Sequence, residues 1–258
     1  MNWFQTERIG GSVGAQASNV GGVRGHKKAP GTGIAGISLE DLARLRQGAY
    51  RLFSQSLLYP DDQRLAVMPV VVREMAVDEA WGHIAPVEEW RDYLALVAGL
   101  QGRRPADIQA EYLSLFVVNV KGVPCPPYES AYVSGGSLNA GWLGACLAAE
   151  YSREGLAPSP ASGEPPDHVA TELEFMSFLC NAEAVARQQG DPQRAQALVT
   201  RQQQFLEQHL DPWIPLFEEK VRVSDSSGFY AGAVKALLAF IGRERAVLGS
   251  SSPGQGLA

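Results

Sequence analysis

Apolar residues recur every three or four positions through most of the chain and almost nowhere at every second one. The longest such run spans 164–189. Val169, Leu173, Met176 and Cys180 lie there at helical spacing, and Phe175, Phe178, Leu179, Ala182 and Val185 widen the stripe around most of the girth. A helix apolar over so much of its surface must be covered by neighbours. This segment is therefore expected to be the central helix, roughly 25 residues long. Pro165 and Pro166 are expected in its first turn, where backbone N–H groups lack partners in any case. Gly190, ahead of Asp191-Pro192, is the stop signal. Asp167 and His168 put a polar pair at the positive end of the helix dipole.

The other elements follow the same period. Ser38 caps a helix carrying Leu42, Leu45, Ala49, Leu52, Phe53 and Leu57, which ends near Tyr59-Pro60. A weaker segment covers 63–75, with Pro69 shortening or kinking it. Residues 77–85 read as a loop. Helices are expected at 86–100, burying Trp90, Tyr93, Leu94 and Val97, and at 105–116, with Ile108, Tyr112, Leu115 and Phe116 on one side. Further helices fall at 138–153 and 192–210. Asp211 caps the next one and Pro212 takes its first position. A closing amphipathic helix spans 228–248. Period two comes nearest at 117–120. The pattern predicts an all-α, single-domain bundle of about eight or nine helices without a solenoid repeat.

One stretch breaks the rule. Pro124, Pro126 and Pro127 forbid helix around Val123, Tyr128 and Tyr132, so apolar and aromatic side chains sit on irregular backbone. Segments of this kind line clefts or contact surfaces.

Composition narrows the domain limits. Residues 1–36 hold nine of the 27 glycines without an apolar period, and 249–258 are mostly Gly, Ser and Pro. Both are expected to be flexible tails around a helical domain at 37–248. The net charge is −6, and the N-terminal 36 residues are basic, so the domain itself is more acidic than the whole. That argues against general nucleic-acid binding and would suit a basic peptide. Cys125, Cys146 and Cys180 are odd in number and form no metal-ligand cluster, as in a cytoplasmic protein with reduced thiols. No secretory signal and no membrane span is legible, so no stable membrane association is expected.

Chemistry is sparse. His168 and Glu172, four apart on one helix, are the candidates for a small metal-dependent hydrolase. The chain has four histidines and no HExxH pair to complete such a site. Phosphate-loop, dinucleotide and nucleophile-elbow motifs are absent, so no cofactor is expected. A peptide site uses more of the unusual residues together. Phe116, Pro127, Tyr128 and Tyr132 offer apolar area, and nearby carboxylates can receive arginines in bidentate fashion.

Three runs carry a resemblance. Glu111, Tyr112, Leu115 and Phe116 are followed by Pro124, Pro127, Tyr128, Glu129, Ser130 and Tyr132. Glu164, Pro165, Asp167, His168, Glu172, Leu173, Glu174, Phe175 and Met176 make the second run. His209, Pro212, Trp213, Pro215 and Phe217 make the third. In this order they resemble the TorD/DmsD/NarJ family across about residues 38–247. The resemblance implies a cytoplasmic, all-helical, non-enzymatic chaperone. Its partner would be the catalytic subunit of a DMSO-reductase-type molybdoenzyme, held commonly by the twin-arginine signal peptide. It would assist molybdenum cofactor insertion and delay export. Carried over by motif, the client contacts are Tyr112, Leu115, Phe116, Pro127, Tyr128, Ser130, Asp167 and His168, with Glu172 and Glu174 in support.

Overall fold

The computed structural model describes residues 4–6, 36–75, 79–117, 122–133, 140–158, 163–225 and 228–250. Most of the expected tails at 1–36 and 249–258 lies outside them, as do 118–121 and the glycine pair at 135–136. Within them the protein is an all-helical bundle. Its helices are α1 (Leu39–Ser56), α2 (Asp62–Met75), α3 (Val87–Gly99), α4 (Pro105–Phe116), α5 (Ala140–Arg153), α6 (Val169–Gln188), α7 (Pro192–Phe205), α8 (Ile214–Ser224) and α9 (Phe229–Ser250). The starts follow local chemistry. Ser38 Oγ accepts from Asp41 N at 3.0 Å, Asp191 Oδ1 accepts from Arg194 N at 2.9 Å, and Pro105 opens α4.

Helix α6 is the hub, packed between α1 and α7, while α9 closes over α3 and α8. Val169, Leu173, Phe175, Met176, Leu179 and Cys180 are all buried. Gly232 lets α9 approach α3, since a Cβ there would lie 2.2 Å from Leu96 Cδ1. One ion network crosses the core. Arg46 of α1 donates through Nε to both Glu244 oxygens (2.8 and 2.9 Å) on α9 and through Nη1 to Glu183 (3.1 Å) on α6. Gln202 of α7 joins it, donating to Glu183 at 2.9 Å.

Four boundaries differ from the pattern's expectation. The central helix starts at Val169, not at 164. Pro165 and Pro166 precede it, because a residue before proline is driven out of the helical region. Their carbonyls instead accept from His168 N (3.1 Å) and from the Tyr151 hydroxyl (2.8 Å). The expected loop at 77–85 contains a 3₁₀ turn, Glu79–His83, that buries Trp81. Helix α7 ends at Phe205 and runs into a π turn, Leu206–Leu210. Asp211 is not the cap of α8. It accepts from Arg245 Nε at 2.8 Å, and the helix begins at Ile214 with Pro215 in its first turn.

Two short strands complete the described residues. Phe4–Thr6 (β1), from the segment expected to be a tail, pairs antiparallel with Leu156–Pro158 (β2), Gln5 opposite Ala157. No helix among the described residues is long and apolar enough to cross a membrane.

Candidate functional site

The proline-rich segment is laid across the start of α6. Val169 N donates to the Pro127 carbonyl and Glu129 N to the Asp167 carbonyl, both at 2.9 Å, with Tyr128 and His168 opposed in an antiparallel bridge. Cys125 N donates to the Leu115 carbonyl at 3.0 Å, which anchors the same segment to the end of α4. Asp167 Oδ2 accepts from Ser130 N at 3.3 Å. Extended backbone has free N–H and C=O groups, and here the α6 entry satisfies them.

His168 is the N-cap of α6. Its Nδ1 accepts from Ala170 N at 3.1 Å, so in the neutral ring the proton is on Nε2. Burial lowers its pKa to about 3, so the ring stays neutral. Nε2 finds no hydrogen-bond partner, and Glu164 Oε2 lies 3.7 Å away. With the imidazole uncharged, this is a contact and not an ion pair. Burial also raises the Glu164 carboxyl. The half-buried Tyr128 phenol is raised by burial first, then by the charges of Glu164 and Asp167. Its ring meets His168 edge-on at 5.3 Å.

Behind this face lies a buried polar wall. His209 Nδ1 is 3.0 Å from Glu129 Oε2, and its Nε2 is 3.6 Å from Glu150 Oε1. Arg201 Nη2 reaches the other Glu150 oxygen at 2.9 Å. Trp213 Nε1 donates to Glu172 Oε2 at 3.2 Å. Burial, reinforced by the charge of Glu129, raises the Glu172 carboxyl well above the ordinary carboxylate range and favours its protonated form.

In front is an open groove of about 450 Å³ between the start of α5 and the α6 entry. Ala140, Gly141 and Gly144 form one wall and Pro165 and Pro166 the other, with Tyr128, Ser130 and Asp167 completing the lining. A carboxylate and a phenol beside small and proline side chains suit a polypeptide carrying a cation next to apolar residues.

Of the residues picked out in the sequence, Tyr128, Ser130 and Asp167 line this groove, and Pro127 and His168, their chain neighbours, are buried. Tyr112, Leu115 and Phe116 are core residues, each no more than 4% exposed. Phe116 packs on Tyr230 (5.0 Å between ring centroids) and on Tyr112 (5.1 Å). Helical spacing alone does not tell an inward aromatic from an outward one. Burial first, then the charges of Glu164 and Tyr128, raises the Tyr112 phenol. Glu172 stands in the buried wall, and Glu174 is half-buried on α6. Trp213 and His209 were legible only as members of a run, and nothing in the sequence marked Gly141 and Gly144 as a wall.

The hydrolase geometry is not built. His168 turns its nitrogens to Ala170 and Glu164, while Glu172 faces Trp213 and Glu129. Among the described residues no three His, Cys, Asp or Glu side chains are arranged to hold a metal. Burial raises the pKa of the Cys125 thiol, which disfavours a nucleophilic thiolate.

Residues 80–219 match the family model described as nitrate reductase delta subunit. A TorD chaperone protein of Vibrio cholerae is 30% identical over 212 residues, covering 81% of this chain and 83% of its own. Another of Photobacterium profundum is 31% identical over 165 residues, covering 63% and 73%. The selenate reductase assembly chaperone protein of Thauera selenatis is 36% identical over 90 residues, covering 35% and 45%. The chain belongs to the TorD/DmsD/NarJ family of molybdoenzyme maturation chaperones.

Proposed function

We propose that this protein is a cytoplasmic, non-catalytic chaperone dedicated to one molybdoenzyme of the DMSO-reductase type. It takes the catalytic subunit through the twin-arginine signal peptide, keeps the unloaded subunit open to molybdenum cofactor insertion, and delays export until loading is complete. The observation that carries the reading is the crossing of 127–130 over the α6 entry. It brings Tyr128, Ser130 and Asp167 from two distant runs onto one open groove. An arginine guanidinium reaching Asp167 gains a charge-assisted bond, and the apolar residues of the signal peptide meet Pro165, Pro166 and the small side chains of α5. Release follows from differential affinity: the client is held while unloaded and let go when folding around the cofactor withdraws the segment.

The test combines capture with mutagenesis. The tagged protein, purified from its host under conditions that induce molybdoenzymes, is expected to retain one unloaded catalytic subunit identified by mass spectrometry. Tyr128→Ala and Asp167→Ala are each expected to weaken client binding about 10-fold or more, typical of truncation at a buried contact, with helical content unchanged. Wild-type affinity in both variants removes the site, and capture of no molybdoenzyme removes the function.

A further inference from the structure

Strand β2 follows α5 directly, and its position leads to the groove. Gly155, at φ 73°, turns the chain out of α5 in a conformation that favours glycine. Leu156 is then buried in the core, which fixes β2 in place. Five residues beyond Pro158 comes Gly163, and then the Pro165-Pro166 wall, which Tyr151 of the last turn of α5 holds through the Pro166 carbonyl. Residues 159–162 join Pro158 to Gly163, so the strand and the groove wall belong to one stretch of chain, and the Tyr151 hydroxyl ties the wall back to the end of α5 from which the strand leaves. What lies on the edge is the protein's own Phe4–Thr6.

We propose that the Leu156–Pro158 edge is a strand-docking edge, covered by residues 4–6 of the chain itself until an extended segment of the client replaces them. This rests on the client-binding reading above. Three paired residues form a very short ladder, and an isolated two-stranded pairing is marginal in water. Pro158 has no N–H to add to it. The covalent link through 7–35 compensates by making the pairing intramolecular, which raises the effective concentration of β1 without strengthening any bond. A client segment that seats its side chains in the groove and its backbone on the adjoining edge gains both sets of contacts together. The chain's own strand therefore sets a threshold: a peptide that lacks groove contacts does not displace it.

The experiment uses the full-length chain and a variant with Phe4→Pro, Gln5→Pro and Thr6→Pro, which removes every N–H donor of β1 whichever pair carries the ladder. The probe is a synthetic peptide with an Arg-Arg pair followed by an apolar run. Affinity is measured by calorimetry, and amide hydrogen exchange is followed at Leu156 and Ala157. Binding by the variant is expected to tighten, by about 10-fold if β1 covers the edge nine-tenths of the time. In an antiparallel pair only one of these two neighbouring amides faces β1; that amide is expected to exchange faster in the free variant than in the wild type, and the bound peptide to restore its protection. Equal affinities with no protection by the peptide, while Asp167→Ala still loses binding, overturn the strand edge and leave the groove standing. Binding by neither form overturns both.

Discussion

His168 combines two roles, helix cap and partner of Tyr128. Its chemistry is set by one acceptor bond from Ala170 N and by complete burial. His168→Ala is expected to cost about 1 kcal/mol for the lost cap, and His168→Asn, a good capping residue, much less. The folded-state pKa of about 3 lies below the ordinary 6.5, so the folded protein binds the proton less readily than the unfolded chain. The resulting stability is full above pH 6.5 and is lost as pH falls towards 3. Between pH 7 and 5 this contribution shrinks by about 2 kcal/mol in the wild type and not at all in His168→Asn, which urea titrations at the two pH values will separate. Glu172 has the opposite sign. Its raised pKa means that the fold holds a proton the unfolded chain gives up above about pH 4.3, so its contribution is lost as pH rises. Glu172→Gln, which keeps an acceptor for Trp213 Nε1, is expected to flatten the fall of stability with rising pH, read from urea titrations at a series of pH values. A slope equal to that of the wild type would show Glu172 ionised in the fold. Neither sign was readable beforehand, because four-residue spacing on a helix places two side chains near each other without saying whether water reaches them.

At the level of secondary structure, the groove depends on α5 presenting small residues to the proline wall. A Cβ on Gly144 would stand 4.0 Å from Pro166 Cδ, ordinary contact. Gly144→Ala is therefore expected to stabilise the protein by up to about 1 kcal/mol through helix propensity. Gly144→Leu points a long side chain at the same proline and is expected to reduce client affinity about 10-fold, with a melting temperature no lower than the wild type. Melting curves and calorimetry on the pair distinguish a blocked groove from a damaged helix. Helix existence was readable almost throughout, since burial of one face imposes the 3.6 period on 105–116 as on 229–248. Ends were less so. Pro165-Pro166 and Asp211-Pro212 each carry a valid helix-start signal, yet both fall in turns: Pro166 drives the residue before it out of the helical region, and Arg245, 34 positions on, takes the Asp211 carboxylate.

Across the whole molecule the Arg46 network ties α1, α6, α7 and α9 through charges buried in the core. Arg46→Ala leaves Glu244 buried without its counter-ion and Glu183 with Arg187 alone, and is expected to cost about 3–5 kcal/mol in chemical denaturation. Glu244→Gln, which keeps the shape and one acceptor, should cost less. A loss below 1 kcal/mol for Arg46→Ala would mean that the carboxylates take up protons instead. None of these residues stood out in the sequence, where Arg46 lies between Arg44 and Gln47 with nothing to mark it as buried.

The helical class, the number of elements, the special character of 124–132 and the Asp167-His168 pair were all present in the order of residues. Each follows from local rules: periodic burial, proline geometry and charge at a helix start. The partition of the marked residues was not. Tyr112, Leu115 and Phe116 share their motif with Tyr128 and Ser130, yet three fill the core and two face the groove. That division is made by the crossing of 127–130 over α6, and by Tyr230 and Phe217 arriving from α9 and α8 to enclose the aromatic side chains. Which side of a segment meets water is a property of what covers it, and the covering residues lie about a hundred positions away in the chain.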